Sequence, residues 1–208
     1  MTTIRTAFLL TASVLLTACA GMSEQACLVS DWTTVGFEDG VAGRPVGSIG
    51  RYRQMCGKHG VAPDLASYRA GHADGVETYC RPGNGFEVGR RGSSYQNVCP
   101  ADMEGEFLTA YDSGYHLYEL ETALRRVEAQ LASNDREQHR IKQELTAIAA
   151  SMVSNETTGE ERVLLVARAA ELGTRHGELS ADSEALEEDR VLHERDLLDY
   201  RQTLAAGF

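Results

Sequence analysis

From Leu117 onward the apolar residues recur in steps of three and four: Leu117, Leu120, Leu124, Val127 and Leu131, then Ile141, Leu145, Ile148 and Met152. Asn134 and Gln138 are the polar residues on that register. Spacing of this kind, sustained over five heptads, predicts a coiled-coil arm, because it lays one apolar stripe along a helix. The segment SNETTGE, Ser154 to Glu160, interrupts the stripe. Beyond it Leu165, Leu172, Leu179 and Leu186 stand seven apart, with Ala169, His176, Ser183 and Leu197 in companion positions. Two arms around a short turn predict an antiparallel hairpin, on the order of 65–75 Å long at about 1.5 Å per residue. His176 reads as a polar residue tolerated in the seam rather than as a pH switch.

Before Pro100 the pattern is different. Short stretches are bounded by Pro45, by Gly60 with Pro63, and by Pro82, and Asp31, Ser48 and Asp64 stand where N-caps are wanted. Three short helices are predicted, Asp31 to Val41, Ser48 to Lys58 and Asp64 to Tyr79, with Trp32, Tyr52, Tyr68, Tyr79 and Phe86 as the aromatic core. The stretch NGFEVGRRGSSYQNVC that follows predicts a turn or short hairpin, with Arg90 and Arg91 as solvated cations.

One phrase occurs twice in this region, as GFEDGV from Gly36 and as GHADGV from Gly71. Neither copy has the alternating oxygen ligands of a calcium loop or the Lys-hydroxyl pair of a phosphate loop. What they share is small-x-x-x-small spacing, Gly36 with Gly40 and Gly71 with Gly75, echoed by Ala110 with Gly114. On a helix such pairs fall on one face and leave a notch. An interior glycine costs a helix roughly 1 kcal/mol relative to alanine, so the notches need a close neighbour in compensation. They are expected to be packing devices. The alternative is a recognition surface in which the notches and aromatics hold a small ligand or glycan.

The first residues, MTTIRTAFLLTASVLLTAC, place Arg5 before an uncharged apolar run, the form of a signal peptide and too short to span a bilayer. Its end, Leu16-Thr17-Ala18-Cys19, resembles the lipobox of bacterial lipoproteins, in which the cysteine is acylated. Residues 1–18 are thus expected to be removed and Cys19 to carry the membrane anchor, with Ala20 favouring the outer over the inner membrane. Cys27, Cys56, Cys80 and Cys99 remain, an even number that in an exported chain predicts two disulfides with three possible pairings. If the short helices run antiparallel, Cys27 with Cys56 and Cys80 with Cys99 are favoured. A metal site using Cys56 and His59 lacks a second close pair of ligands.

The net charge of −11 is uneven: residues 20–100 carry eight basic and eight acidic side chains, residues 101–208 carry 11 and 23. That acidity opposes nucleic acid or anionic lipid as a partner of the second region. All four prolines and 14 of the 20 glycines lie in the first hundred residues, so a boundary is expected near Pro100: a head at 19–100 and an acidic hairpin at 101–208. The fold class expected is mainly α, a small disulfide-stapled, Gly- and aromatic-rich head followed by a long antiparallel coiled-coil hairpin.

No nucleophile-base motif, zinc-protease motif or P-loop is present, and the nearest catalytic grouping, His72, Asp74 and Glu77, does not share one helical face. No enzyme, cofactor or metal is expected. Cys27, DWTTVGFEDGVAGRP, GVAPDLASYRAGHADGVETYC, NGFEVGRRGSSYQNVCP and FLTAYDSGYHLYELE, taken in order from Cys27 to about Glu128, resemble the proteobacterial lipoprotein family called domain of unknown function 2799. The resemblance implies a cell-envelope lipoprotein and assigns no catalytic residue. The expected role is non-catalytic: a lipid-anchored head whose coiled-coil arm self-associates or meets another envelope protein.

Overall fold

The computed structural model describes residues 22–207; the leader 1–18 and Cys19 lie outside the described residues. Regular structure among them is helical throughout: α1 (Glu24–Val29), α2 (Trp32–Val41), α3 (Ile49–Gly57), α4 (Leu65–Tyr79), α5 (Pro82–Arg90), α6 (Ala101–Val153) and α7 (Gly159–Gly207). The mainly α class, with stapled short helices ahead of two long ones, is the one the periodicity predicts.

Two of the three expected caps form. Asp31 accepts the Thr33 N–H at 3.0 Å, and one Asp64 carboxylate oxygen accepts from the Ala66 and Ser67 amides. Ser48 is not a side-chain cap: a 3-10 turn, Val46–Ser48, runs straight into α3 and leaves Ser48 itself helical. Helix α1 is an addition that periodicity does not announce, started by Ser23 accepting the Ala26 N–H and carrying buried Cys27.

The turn or hairpin expected after Asn84 is instead helix α5. Pro82 sits in its first turn, where the missing N–H has no helical partner to lose. The chain forms two compact units, one reaching to Cys80 and including Tyr95–Met103, the other comprising Arg81–Ser94 and Glu104–Phe208. The boundary expected at Pro100 is therefore displaced, because α5 packs on α6 and belongs with the hairpin.

Both disulfides form in the favoured pairing, Cys27–Cys56 and Cys80–Cys99, each with Cα atoms 5.6 Å apart. Bridges of this kind persist outside the reducing cytoplasm, so the chain's location is periplasmic or extracellular. Among the described residues no helix is long and apolar enough to cross a membrane. The loops closed span sequence separations of 29 and 19 residues, which in the chain-entropy treatment is worth about 3 to 4 kcal/mol for each bridge. Reduction should accordingly lower the denaturation midpoint of the first unit, whereas two or more free thiols on the unreduced, denatured mature protein would refute the two bridges.

In the first unit α2 and α4 meet through the repeated phrase, one copy on each helix. A Cβ on Gly36 would collide with the Tyr68 carbonyl, one on Gly40 with the His72 carbonyl, one on Gly71 with the Thr33 carbonyl and one on Gly75 with the Phe37 carbonyl. The copies are each other's partners. Just past α2, Gly43 turns the chain at a φ of +67° with the Tyr79 ring against it.

The second unit repeats this arrangement. GFEVGRRG (85–92) on and after α5 stands where GFEDGVAG (36–43) stands on and after α2. Gly85 meets the Phe107 carbonyl, Gly89 the Tyr111 carbonyl and Gly114 the Phe86 carbonyl, and Gly92, also at a φ of +67°, meets the Tyr118 ring. Even the closing backbone hydrogen bonds correspond: Gly43 N–H to Gly40 and Arg44 N–H to Asp39, then Gly92 N–H to Gly89 and Ser93 N–H to Val88. In chain order each pair also has a disulfide from a cysteine ahead of its first helix to one ahead of its second. The fold contains an internal duplication of a Cys–helix–Cys–helix module.

Helix α6 continues from the second module into the hairpin. Ile141, Ile148, Leu172 and Leu179 form its apolar seam, with Leu145, Met152, Leu165 and Ala169 packed against them. Asn134, nearly inaccessible, donates to Asp182 and Ser183 across the seam and accepts from Gln130, an arrangement that fixes register. At the turn, Thr158 and Glu161 form a reciprocal capping box, and Arg162 donates to the Ser154 and Thr157 carbonyls.

Candidate functional site

The most concentrated polar chemistry lies in the first unit, around one aspartate. The glycines of α2 face α4 so closely that Asp39, between them in sequence, is carried into the interior, with 1 % of its surface exposed. Four side chains supply its carboxylate with donors. Arg44 Nη1 is 2.6 Å from Oδ1 and Tyr68 Oη 2.7 Å from Oδ2. Arg51 Nη2 lies 3.0 and 3.3 Å from the two oxygens, and Tyr52 Oη 3.2 Å from Oδ1.

The scaffold around this cluster is ordered in its turn. The Arg51 guanidinium carbon lies 4.9 Å from the centroid of the Tyr52 ring, within cation–π range. His72 Nε2 donates to the Arg44 carbonyl at 2.7 Å, and the Tyr68 ring stacks on His72. Trp32, Ile49, Tyr68 and the Cys27–Cys56 bridge make the surrounding apolar core.

Burial alone would raise the Asp39 carboxyl; the hydrogen bonds from Arg44 and Tyr68 and the charge of Arg51 outweigh it and hold the group below its ordinary value. Tyr68 shifts the other way, its hydroxyl pushed well up by burial and by its bond to Asp39. The site is thus an ionised, fully ligated carboxylate under two arginines.

The second module shows that this cluster is not needed to build the helix pair. Val88, 4 % exposed, takes the place of Asp39; Phe107, wholly buried, takes the place of Tyr68; Ser93 takes the place of Arg44. An apolar version packs the same backbone, which makes the polar version an elaboration of the fold.

The residues singled out from sequence fall as follows. Gly36, Gly40, Gly71 and Gly75 converge on the α2–α4 contact, and Cys27, Cys56, Cys80 and Cys99 are all bridged. His72 is buried against Arg44, while Asp74 and Glu77, on the same helix, are exposed, so the three do not converge. Cys56 cannot join His59 as a metal ligand while its sulfur is bonded to Cys27. The Asp39 cluster escapes motif reading because its members come from α2, the turn after it, α3 and α4. The available signal is the valine of GFEV against the aspartate of GFED.

No curated protein and no solved structure matches the chain. One family model does, over residues 31–116. This interval holds α2 to α5 and the start of α6, hence both glycine-packed helix pairs and the whole Asp39 cluster. The family whose model matches residues 31–116 is the one described as Protein of unknown function (DUF2799).

Proposed function

We propose that the protein is a non-catalytic lipoprotein of the bacterial cell envelope, anchored through Cys19 at the periplasmic face of the outer membrane, with its helical hairpin as the arm that meets a second copy or another envelope protein. The observation that carries this reading is the use of the cysteines. The bridges take up Cys27, Cys56, Cys80 and Cys99, and the one cysteine left over, Cys19, stands at the end of an apolar leader in LLTAC. Acyl chains there supply durable anchoring.

The arm's role is supported by exposed apolar side chains around the hairpin turn. Val153 is 82 % exposed and Val163, Leu164 and Val166 are also open to solvent, a surface without work in the isolated chain. The alternative of a ligand held in the glycine notches loses support, because the facing helix fills them with its own backbone.

Changing Cys19→Ser should leave an unprocessed precursor, abolish incorporation of labelled palmitate and remove the protein from the outer-membrane fraction. Unchanged labelling would overturn the anchor.

A further inference from the structure

We infer that Arg44 and Arg51 form a binding site for a phosphate anion, and that the anion is the phosphodiester of an acidic phospholipid headgroup. The choice of lipid as the source rests on the anchoring proposed above; the site itself rests on geometry.

One carboxylate requires one cation for neutrality, and Asp39 has two. Each guanidinium gives it a single nitrogen, Nη1 of Arg44 and Nη2 of Arg51, and each side chain remains about half exposed, at 48 % and 46 %. Their other N–H donors belong to half-exposed groups already held by a buried anchor, by the Tyr52 ring, by a further bond from Arg51 Nη2 to Tyr52 Oη and, through the Arg44 carbonyl, by His72. Guanidinium N–H pairs match phosphate oxygens, and fixing them beforehand removes the ordering cost of binding.

The surroundings favour an anion further. From Asp39 to Pro63 the one acidic residue is Asp39, against Arg44, Arg51, Arg53 and Lys58, a net of +3. Lys58 lies two helical turns beyond Arg51 on the same face, and neither it nor Arg53 makes an ion pair with any described residue. In the second module Val88, Phe107 and Ser93 occupy the corresponding places, so packing does not explain why the charges are kept.

Position supplies the source. Cys19 and Cys27 are eight residues apart, a reach of at most about 29 Å when extended, and Cys27 is bonded to Cys56 on α3, the helix that carries Arg51. An acylated Cys19 keeps this cationic face within reach of the headgroups.

The packing described lies within residues 22–207, so the test uses the unlipidated chain from Ala20, exported with an ordinary cleavable signal. It should co-float with vesicles of phosphatidylglycerol and phosphatidylcholine and fail to do so with phosphatidylcholine alone. Arg44→Gln with Arg51→Gln should weaken that binding roughly twenty-five-fold, the product of about fivefold for each cation near an anionic surface. A second variant guards against misfolding by importing the apolar solution of the other module: Asp39→Val, Tyr68→Phe and Arg44→Ser, with Arg51→Gln. It should fold and lose about fivefold, since it removes the Asp39 anion together with the two cations. Parental binding by that folded variant overturns the site. If inorganic phosphate binds to the parent and not to the variant while vesicle binding is equal in both, the site takes free phosphate and the lipid assignment falls. Because this chain carries no acyl group, vesicle binding here together with an unlabelled Cys19 in the full chain would reject the anchor and keep the site.

Discussion

Gly75→Leu is expected to unfold the first unit. The methyl of alanine alone would meet the Phe37 carbonyl, and would stand 3.0 Å from the Gly40 Cα. Overpacking costs about 1 to 3 kcal/mol where side chains can yield. Here the obstacle is the backbone of a facing helix that is itself hydrogen-bonded, so Gly75→Ala should reach the top of that range and leucine exceed it. Against a total stability of about 5 to 15 kcal/mol, the leucine variant leaves little. The chain's single tryptophan, Trp32, is buried in this unit, and its fluorescence reports the loss directly. Gly173 and Gly177 provide the contrast: both lie inside α7 with open space where a Cβ would stand. Alanine there should stabilise the hairpin by about 0.4 to 1 kcal/mol. Parental stability of Gly75→Leu under oxidising conditions would end the packing account.

Asp39→Ala should be the second large loss, about 2 to 4 kcal/mol. It leaves the wholly buried Tyr68 hydroxyl without its acceptor, while the half-exposed arginines can turn to water. Adding Tyr68→Phe and Arg44→Ser, with valine rather than alanine at 39, should recover most of this, since Val88, Phe107 and Ser93 already satisfy the same backbone. The pH dependence has a definite sign. The folded-state value of Asp39 is depressed, so its contribution is complete above the unfolded carboxyl value of about 3.9 and disappears as pH falls through the lower folded value. Denaturation midpoints between about pH 5 and pH 2 should show this limb in the parent and a weaker one in the valine variant.

How much the sequence reveals depends on the range of the interaction. The hairpin is legible because its seam repeats locally: Leu165, Leu172 and Leu179 advertise one stripe without reference to anything distant. The caps at Asp31 and Asp64 are legible for the same reason, each bonding an amide two or three residues on. Helix α5 is not, because Gly83, Gly85 and Gly89 argue against a helix unless α6 is known to pack against two of them. The duplication is written plainly in GFEDGVAG and GFEVGRRG. It is masked by the nearer likeness of GFEDGV to GHADGV, which joins the two partners of one module rather than two copies of a module. The Asp39 cluster is the least legible, since sequence separations of 5, 12, 13 and 29 residues link its members.

The continuity of α6 has a mechanical consequence. Gly114, seated against the Phe86 carbonyl, and Leu117, the first buried residue of the long stripe, lie within one turn of the same unbroken helix. No flexible joint separates them. Torque applied far out along the arm must therefore either be borne by α5 or break the glycine contact, because turning α6 about its axis by one residue, about 100°, would drive a side chain into the place of Gly114. The second module works as a keyed socket for the shaft that leaves it. The arm's azimuth is set at its base, and the Asn134 bond to Asp182 repeats the setting halfway along.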